Sequence, residues 1–277
     1  MVTSWYKKSM VLLLGIVSGI LVSLAFIRPY QEEIPLAELV LQLSGARGTF
    51  ALGCSLTELV RFMLCMVPNV LIIMVLGTQL YRHFCTASIY VFSRCPNRLA
   101  WYRGALVPLF IHVLLFEVVF VTAAVLAALP RCRIMVSRGG VLLLGAHVLI
   151  YILWIFGWVL LTNLLAIGLG SSRAFFIVMT VQAVCTASLA LIGVLEKKQM
   201  SQNVIERLLW FNPVAHTVIS WHQGAPFAKE LAESRYALNL AFSAALLILL
   251  DVMIVLLGGI FVKNRDLLSG NRETEEG

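Results

Sequence analysis

Six long runs with almost no charge dominate the chain, at about residues 10–27, 62–80, 105–129, 141–165, 173–195 and 238–262. Crossing the hydrocarbon core of a bilayer takes about 20 apolar residues, so each run is long enough to span. The runs are continuous, whereas a membrane barrel would alternate in segments of about ten residues. The pattern therefore predicts an all-α membrane protein with about six transmembrane helices in one domain over residues 1–277, and no soluble domain. Ser23-Leu24-Ala25 resembles a weak signal-peptide cleavage site, but the chain beyond it is multi-spanning, so an uncleaved first span is expected.

The connections carry the remaining local signals. After Pro35, Leu36, Leu39, Val40 and Leu43 share one helical face, which predicts a short surface helix. Pro68-Asn69 and Gly77 interrupt the second run, where a kink is tolerated if neighbours satisfy the freed carbonyls. Glu58 and Arg61 are spaced to pair at its entrance. Tyr81 to Arg103 is a loop with Arg82, His83, Arg94, Arg98 and Arg103 and no acid; its Thr86 to Phe92 stretch is long enough for two helical turns.

Between the last two runs, Gln199 to Gly224 reads as two short amphipathic helices meeting at Asn212-Pro213. Val204, Ile205, Leu208 and Leu209 share a face before the joint, and Val214, Val218 and Ile219 share one after it. Asn212 suits an N-cap and Pro213 the first helical position, where its missing N–H costs nothing. Trp210, Phe211 and Trp221 suit a membrane–water boundary. The stretch is either an ordinary interfacial loop or a segment that dips into one face of the bilayer.

Composition agrees with the pattern. Hydrophobic residues make up 60% and charged residues 13% of the chain, and the mean hydropathy is +0.93. So few polar groups could not cover the surface of a water-soluble domain this long. The net charge of +7 comes from basic residues flanking apolar runs, as membrane anchors do, and no separate basic domain exists to grip nucleic acid. None of the six cysteines forms a Cys-x-x-Cys pair or a metal-ligand spacing. A Cys54–Cys132 disulfide stays open should both face an oxidising side.

An even number of spans puts both termini on one side. With that side cytoplasmic, ten Lys and Arg lie inside and eleven outside, which decides nothing. Two local features orient the chain instead: Lys7-Lys8 before the first run, and the acid-free loop from Tyr81 to Arg103. Both are then cytoplasmic, and the Asn212-Pro213 stretch faces outward across a cell membrane.

Familiar catalytic motifs are missing. The sequence contains no Gly-x-x-x-x-Gly-Lys-Ser/Thr loop for ATP phosphates, no His-Glu-x-x-His and no Gly-x-Ser-x-Gly. Glu32-Glu33 begins like the Glu-Glu-x-x-x-Arg motif of membrane CAAX-type proteases, but Ala37 stands where the arginine is needed. Neither catalysis nor a bound cofactor or metal is expected. The intramembrane polar residues still require a reason, since an Asp at a helix centre costs about 2.5–3.5 kcal/mol on insertion scales. Glu117, Asp251, His112 and His147 either line a polar path or make buried contacts such as Glu117 with His112 or His147. The arginines of the basic loop are either membrane anchors or a docking surface for a cytosolic partner, and the two roles are compatible.

The order of parts resembles the permease subunit of ABC transporters of the ABC-2, type V exporter-like, class. Asn212-Pro213-Val214-Ala215-His216 looks like that family's Asn-Pro-Leu-Thr-Tyr-type stretch before the last span. Phe261 to Leu267 looks like its basic exit from the sixth span, and Arg94 to Tyr102 is similar to the loop after the second span in bacteriocin- and lantibiotic-type permeases. His216 and His222 stand where tyrosine and arginine are often seen. The resemblance implies a bacterial exporter of a peptide or amphipathic molecule that works with a second permease copy or a sister permease. A separate ATPase would supply the ATP and dock on Arg94, Arg98, Trp101 and Arg103, while Trp210, Asn212, Pro213 and His216 would belong to a re-entrant outer gate. Membrane lipid is the surrounding partner, and no nucleic acid is involved. The competing expectation is a stand-alone membrane protein, either an ion-coupled transporter or a non-catalytic immunity or sensor protein.

Overall fold

A computed structural model of the chain describes residues 2–28, 32–44, 56–84, 97–198, 201–223 and 238–264. Arg94, the 86–92 stretch, Cys54, Cys85 and Cys95 lie outside the described residues, as do the side chains of Glu58 and Arg61. The helices are α1 (Val2–Phe26), α2 (Leu36–Leu43), α3 (Leu56–Leu76, continuing over 79–84), α4 (Arg98–Ala128), α5 (Arg138–Leu169), α6 (Ser171–Lys197), α7 (Gln202–Phe211) and α8 (Leu240–Asn264). Six stretches are long and apolar enough to cross a membrane: Lys7–Phe26, Phe62–Phe84, Arg98–Ala128, Arg138–Leu169, Ser171–Leu189 and Leu240–Asn264. They fall on the six runs expected. The exterior is rich in exposed large apolar side chains, such as Leu13, Met74, Phe176 and Leu257, as a lipid-facing surface requires.

Consecutive spans run in opposite directions. That places α2, α7 and the short strands at one end of the bundle, and the N-terminus, Arg98, Gly170 and Lys263 at the other. Strand β1 (Glu33–Pro35) pairs in parallel with β2 (Arg133–Met135), and β3 (His222–Gln223) with β4 (Leu238–Asn239). The first pair ties the connection after α1 to the one between α4 and α5, and the second joins two parts of the connection between α7 and α8.

Local chemistry sets the helix limits. Asn97 caps α4 by accepting the Ala100 N–H at 3.0 Å, and Ser137 caps α5 by accepting the Gly140 N–H at 2.9 Å. Gly170 ends α5 at φ 89°, a left-handed conformation suited to glycine, and α6 starts at the next residue. The basic stretch from Tyr81 to Arg103 is therefore not a loop at its edges: 81–84 completes α3, and Arg98, Trp101 and Arg103 lie in the opening turns of α4. The reason is the Asn97 cap, which starts the helix well before the apolar run.

α5 is the hub, packed against α2, α3, α4, α6 and α8. α2 is buried there rather than lying on the surface, with Leu36, Ala37, Leu39, Val40, Leu41 and Leu43 all inside. Its polar face is satisfied inside the protein: Gln42 accepts the Arg28 N–H at 2.8 Å and donates to Glu38 at 2.7 Å, so that side is covered as well. The α1–α4 contact is the most extensive in the bundle. Gly15 and Gly19, one turn apart, bring the α1 backbone against Phe116, Phe120, Ala123 and Ala124 of α4. Arg131 locks the far end of this pair by donating to the Ser23 carbonyl at 3.0 Å and to its Oγ at 2.7 Å. α1 is thus an integral part of the bundle. Cys132 is a buried free thiol.

α3 runs through Pro68 without a break and breaks instead at Gly77. A Cβ at 77 would collide with the Ile73 carbonyl and lie 2.8 Å from Thr162 of α5. Asn163 of α5 repairs the broken ladder. Its Oδ1 accepts the Leu80 N–H at 2.7 Å, and its Nδ2 donates to the Leu76 carbonyl at 2.9 Å.

Candidate functional site

The segment from α7 to β3 forms a flap between α6 and α8. In α7, Ile205 and Leu209 point into the bundle, while Val204, Leu208 and Phe211 are exposed, so the helix has an apolar face on each side. Beyond the joint the chain winds as two single 3-10 turns, Ala215–Thr217 and Ile219–Trp221, rather than as an α-helix. Val218 separates them with ψ at 90°, outside the helical region. Val214, Val218 and Ile219 are buried, but so is every other residue from 214 to 222, so the stretch has no single apolar face of the kind expected. Trp221 is also buried, at 2% exposure, so it serves the core and not the membrane boundary. Trp210 packs against Phe242 of α8 with ring centroids 4.1 Å apart.

Asn212 holds the joint. Its Oδ1 accepts the Val214 N–H at 2.9 Å, and its Nδ2 donates to the Cys185 carbonyl and to Ser188 Oγ, both at 2.8 Å. One side chain therefore caps the turn and fastens it to α6. The second anchor is Ser243 of α8, whose Oγ lies 2.8 Å from His216 Nδ1 and 2.9 Å from His222 Nε2. His216 donates from Nε2 to the Trp210 carbonyl at 3.0 Å, and His222 donates from Nδ1 to the Val218 carbonyl at 3.1 Å. Ser243 has one hydroxyl hydrogen, so it donates to one ring at a time. Ser243 is three residues into α8, so its contacts with the two histidines place that part of the flap about 5 Å along the helix at 1.5 Å per residue.

Burial pushes the His222 imidazole down to about 4, despite its bonds to the Ile219 and Val218 carbonyls, and burial lowers His216 as well. Between pH 6.5 and about 4 the unfolded chain therefore takes up a proton that folded His222 refuses, so stability falls as pH falls through this window. Melting temperature measured against pH is expected to drop over that range, and His222→Gln is expected to flatten the drop. An equal pH slope in the variant would contradict this assignment.

The four intramembrane polar candidates do not meet in one path. Glu117 of α4 and His147 of α5 come together, with Oε1 and Nε2 3.7 Å apart and both side chains fully buried. Neither Glu117 oxygen and neither His147 nitrogen has a hydrogen-bond partner. Tyr151 lies against the His147 ring, with centroids 4.3 Å apart. His112 instead bonds through Nδ1 to the Pro108 carbonyl of its own helix. It lines a separate cavity of about 480 Å³ at the end of the bundle that holds the N-terminus, with Lys7, Gln79, His83 and Trp101. Asp251 sits apart again, on α8 against Gly157 of α5, in a cavity of about 190 Å³ that Pro213 of the flap helps to wall.

Arg98 and Arg103 lie at the end away from the flap. Lys263, at the close of α8, lines a cleft with each of them, so the last span contributes to the same basic end. Sequence reading named neither this alignment nor Ser243 and Asn163, because the groups involved are far apart in the chain. Among the described residues, no group of three His, Cys, Asp or Glu is placed to hold a metal ion.

The fold defines a multi-pass helical membrane protein, with an inserted flap at one end and a basic cluster at the other. No family model matches the chain, and no curated protein or solved structure matches it either.

Proposed function

We propose that the chain is the membrane-spanning permease subunit of an ABC exporter in a bacterial cell membrane, moving a peptide or amphipathic substrate with energy from a separate ATPase. The observation that carries the reading is the pairing of opposite ends. A proline-jointed flap is fastened into the bundle through Asn212 and Ser243, and Arg98, Arg103 and Lys263 gather at the other end. Such an arrangement is what an outer gate and an inner docking surface at opposite ends would require. A second permease copy or a sister permease completes the path, and ATP acts only through the partner. Docking through acidic groups on the ATPase is steered by this basic end.

Charge reversal tests the reading. With Arg98→Glu and Arg103→Glu together, co-purification of the ATPase is expected to fall by about tenfold or more, because each buried or rim charge pair turns repulsive. Unchanged co-purification would exclude docking at this end.

One observation favours a second reading, a stand-alone ion-coupled transporter. Glu117 and His147 are fully buried and leave all four polar atoms without hydrogen bonds, as a site that takes up and releases a proton or cation would. Transport assayed in ATP-depleted vesicles separates the two. Activity that persists without ATP and is abolished by Glu117→Gln supports the carrier; activity that stops with ATP depletion supports the permease.

A further inference from the structure

The small cavity between α5 and α8 joins three features that lie far apart in sequence. Asp251 brings a carboxylate from the middle of α8; it is only 8% exposed, and its Oδ2 has no hydrogen-bond partner. No basic group lies within ion-pair distance of it among the described residues. Trp154 and Trp158 of α5 line the same space, edge to face, with centroids 5.3 Å apart. Pro213 brings the joint of the flap to the wall. Space for the carboxylate is made by Gly157, where a Cβ would stand 2.5 Å from Asp251 Oδ1. The remaining lining is aliphatic, including Leu250.

An ionised carboxylate in such surroundings is costly unless a counter-charge reaches it. Indole rings attract cations over their faces, and more strongly where water is excluded. A carboxylate and two indoles around an apolar space therefore select one chemistry. At about 190 Å³ the cavity is smaller than the 300 Å³ or more typical of drug-sized ligands, so it holds a charged head or one side chain and leaves the rest outside.

We propose that this cavity binds the ammonium group of an organic cation that carries an apolar or aryl segment, with Asp251 as counter-charge, Trp154 and Trp158 as aromatic walls, and Pro213 closing one side. The binding site itself stands independently of the exporter reading; only the identification of the bound cation as cargo rests on it. Because Pro213 belongs to the flap, occupancy of the cavity and the position of the flap are linked.

The test uses the full chain in lipid nanodiscs without any ATPase. Isothermal titration compares 2-phenylethylammonium with 2-phenylethanol, an uncharged probe of the same shape, and tryptophan fluorescence reports on the cavity. The cation is expected to bind about tenfold or more tighter than the alcohol. Asp251→Asn is expected to abolish that preference. Trp158→Leu keeps the carboxylate and is expected to weaken the cation by about threefold or more, and the alcohol less. Equal affinity for the two probes would overturn the proposal, and so would a preference that survives in a folded Asp251→Asn protein. Should that variant not fold, an unchanged preference in Trp158→Leu overturns it. A chain that still binds the ATPase but shows no cation preference loses this site and keeps the permease reading; the converse result does the reverse.

Discussion

Replacing Asn163 with leucine is expected to cost about 2–6 kcal/mol, the penalty for two buried backbone groups left unpaired at about 1–3 kcal/mol each. Asn163 is fully buried, and its amide fills the gap that Gly77 opens in α3. Leucine fills similar space and offers neither donor nor acceptor. The Leu80 N–H and the Leu76 carbonyl then have no substitute, because the hydrocarbon core holds no water to take over. The asparagine also donates to the Val159 carbonyl at 2.8 Å, within its own helix, which fixes the side chain in place before it reaches α3. Thermal melting followed by fluorescence-detected size exclusion measures the loss. An unchanged melting temperature would mean that the α3 break closes into a continuous helix when the amide is gone.

The second large effect is expected at Gly19. Its Cα approaches α4 so closely that a Cβ would collide with the Phe120 carbonyl and stand 2.9 Å from Ala123 Cβ and 3.0 Å from the Ala124 nitrogen. Two of those three neighbours are backbone atoms, which cannot rotate away. Gly19→Leu must therefore push α1 off α4, and Gly15, one turn earlier, loses its contact with Phe116 and Val119 as well. Overpacking of this kind costs about 1–3 kcal/mol, and more where helices are forced apart. Without a hydrophobic drive between helices in lipid, close small-residue contact is what holds such a pair. The expected result is a lowered melting temperature and faster proteolysis of α1. A variant as stable and as protease-resistant as the parent would show that the α1–α4 contact does not depend on this approach.

The six spans were legible because each is a run of apolar residues long enough to cross hydrocarbon, and that property is local. The break at Asn212-Pro213 was legible because proline acts on its immediate neighbours, but Asn212 closes α7 and caps a turn at Val214 instead of opening a helix at Pro213. The second half of the flap was not, because a run as short as 213–221 satisfies an α-helix or successive 3-10 turns equally well by spacing. The burial of α2 was not legible either. Glu38 and Gln42 share one face, so the pattern reads as a surface helix; its burial rests on the Arg28 backbone that meets Gln42.

Other features depend on partners that no local pattern reveals. Gly15 and Gly19 are spaced one turn apart in the sequence, yet only Ala123 and Ala124 on another helix give the spacing its meaning. Asn163 reaches across to positions 83 and 87 residues away. Ser243 serves two histidines on a different segment, and Asp251, Gly157 and Pro213 share a cavity from three separate parts of the chain. The polar residues Glu117, His147, Asp251 and His112 stood out individually, since each is costly in lipid. Their grouping did not, and the bundle divides them among three places.

The arrangement stands or falls on which end of the bundle faces the cytoplasm. Single cysteines at Gln223, exposed at the end of the flap, and at Arg82, exposed at the opposite end, are placed in a chain whose native cysteines are replaced by serine. Intact cells are then treated with a membrane-impermeant maleimide. Gln223→Cys is expected to label in intact cells and Arg82→Cys only after permeabilisation. The reverse pattern would turn the flap inward and the basic end outward, and an ATPase in the cytoplasm could not reach it.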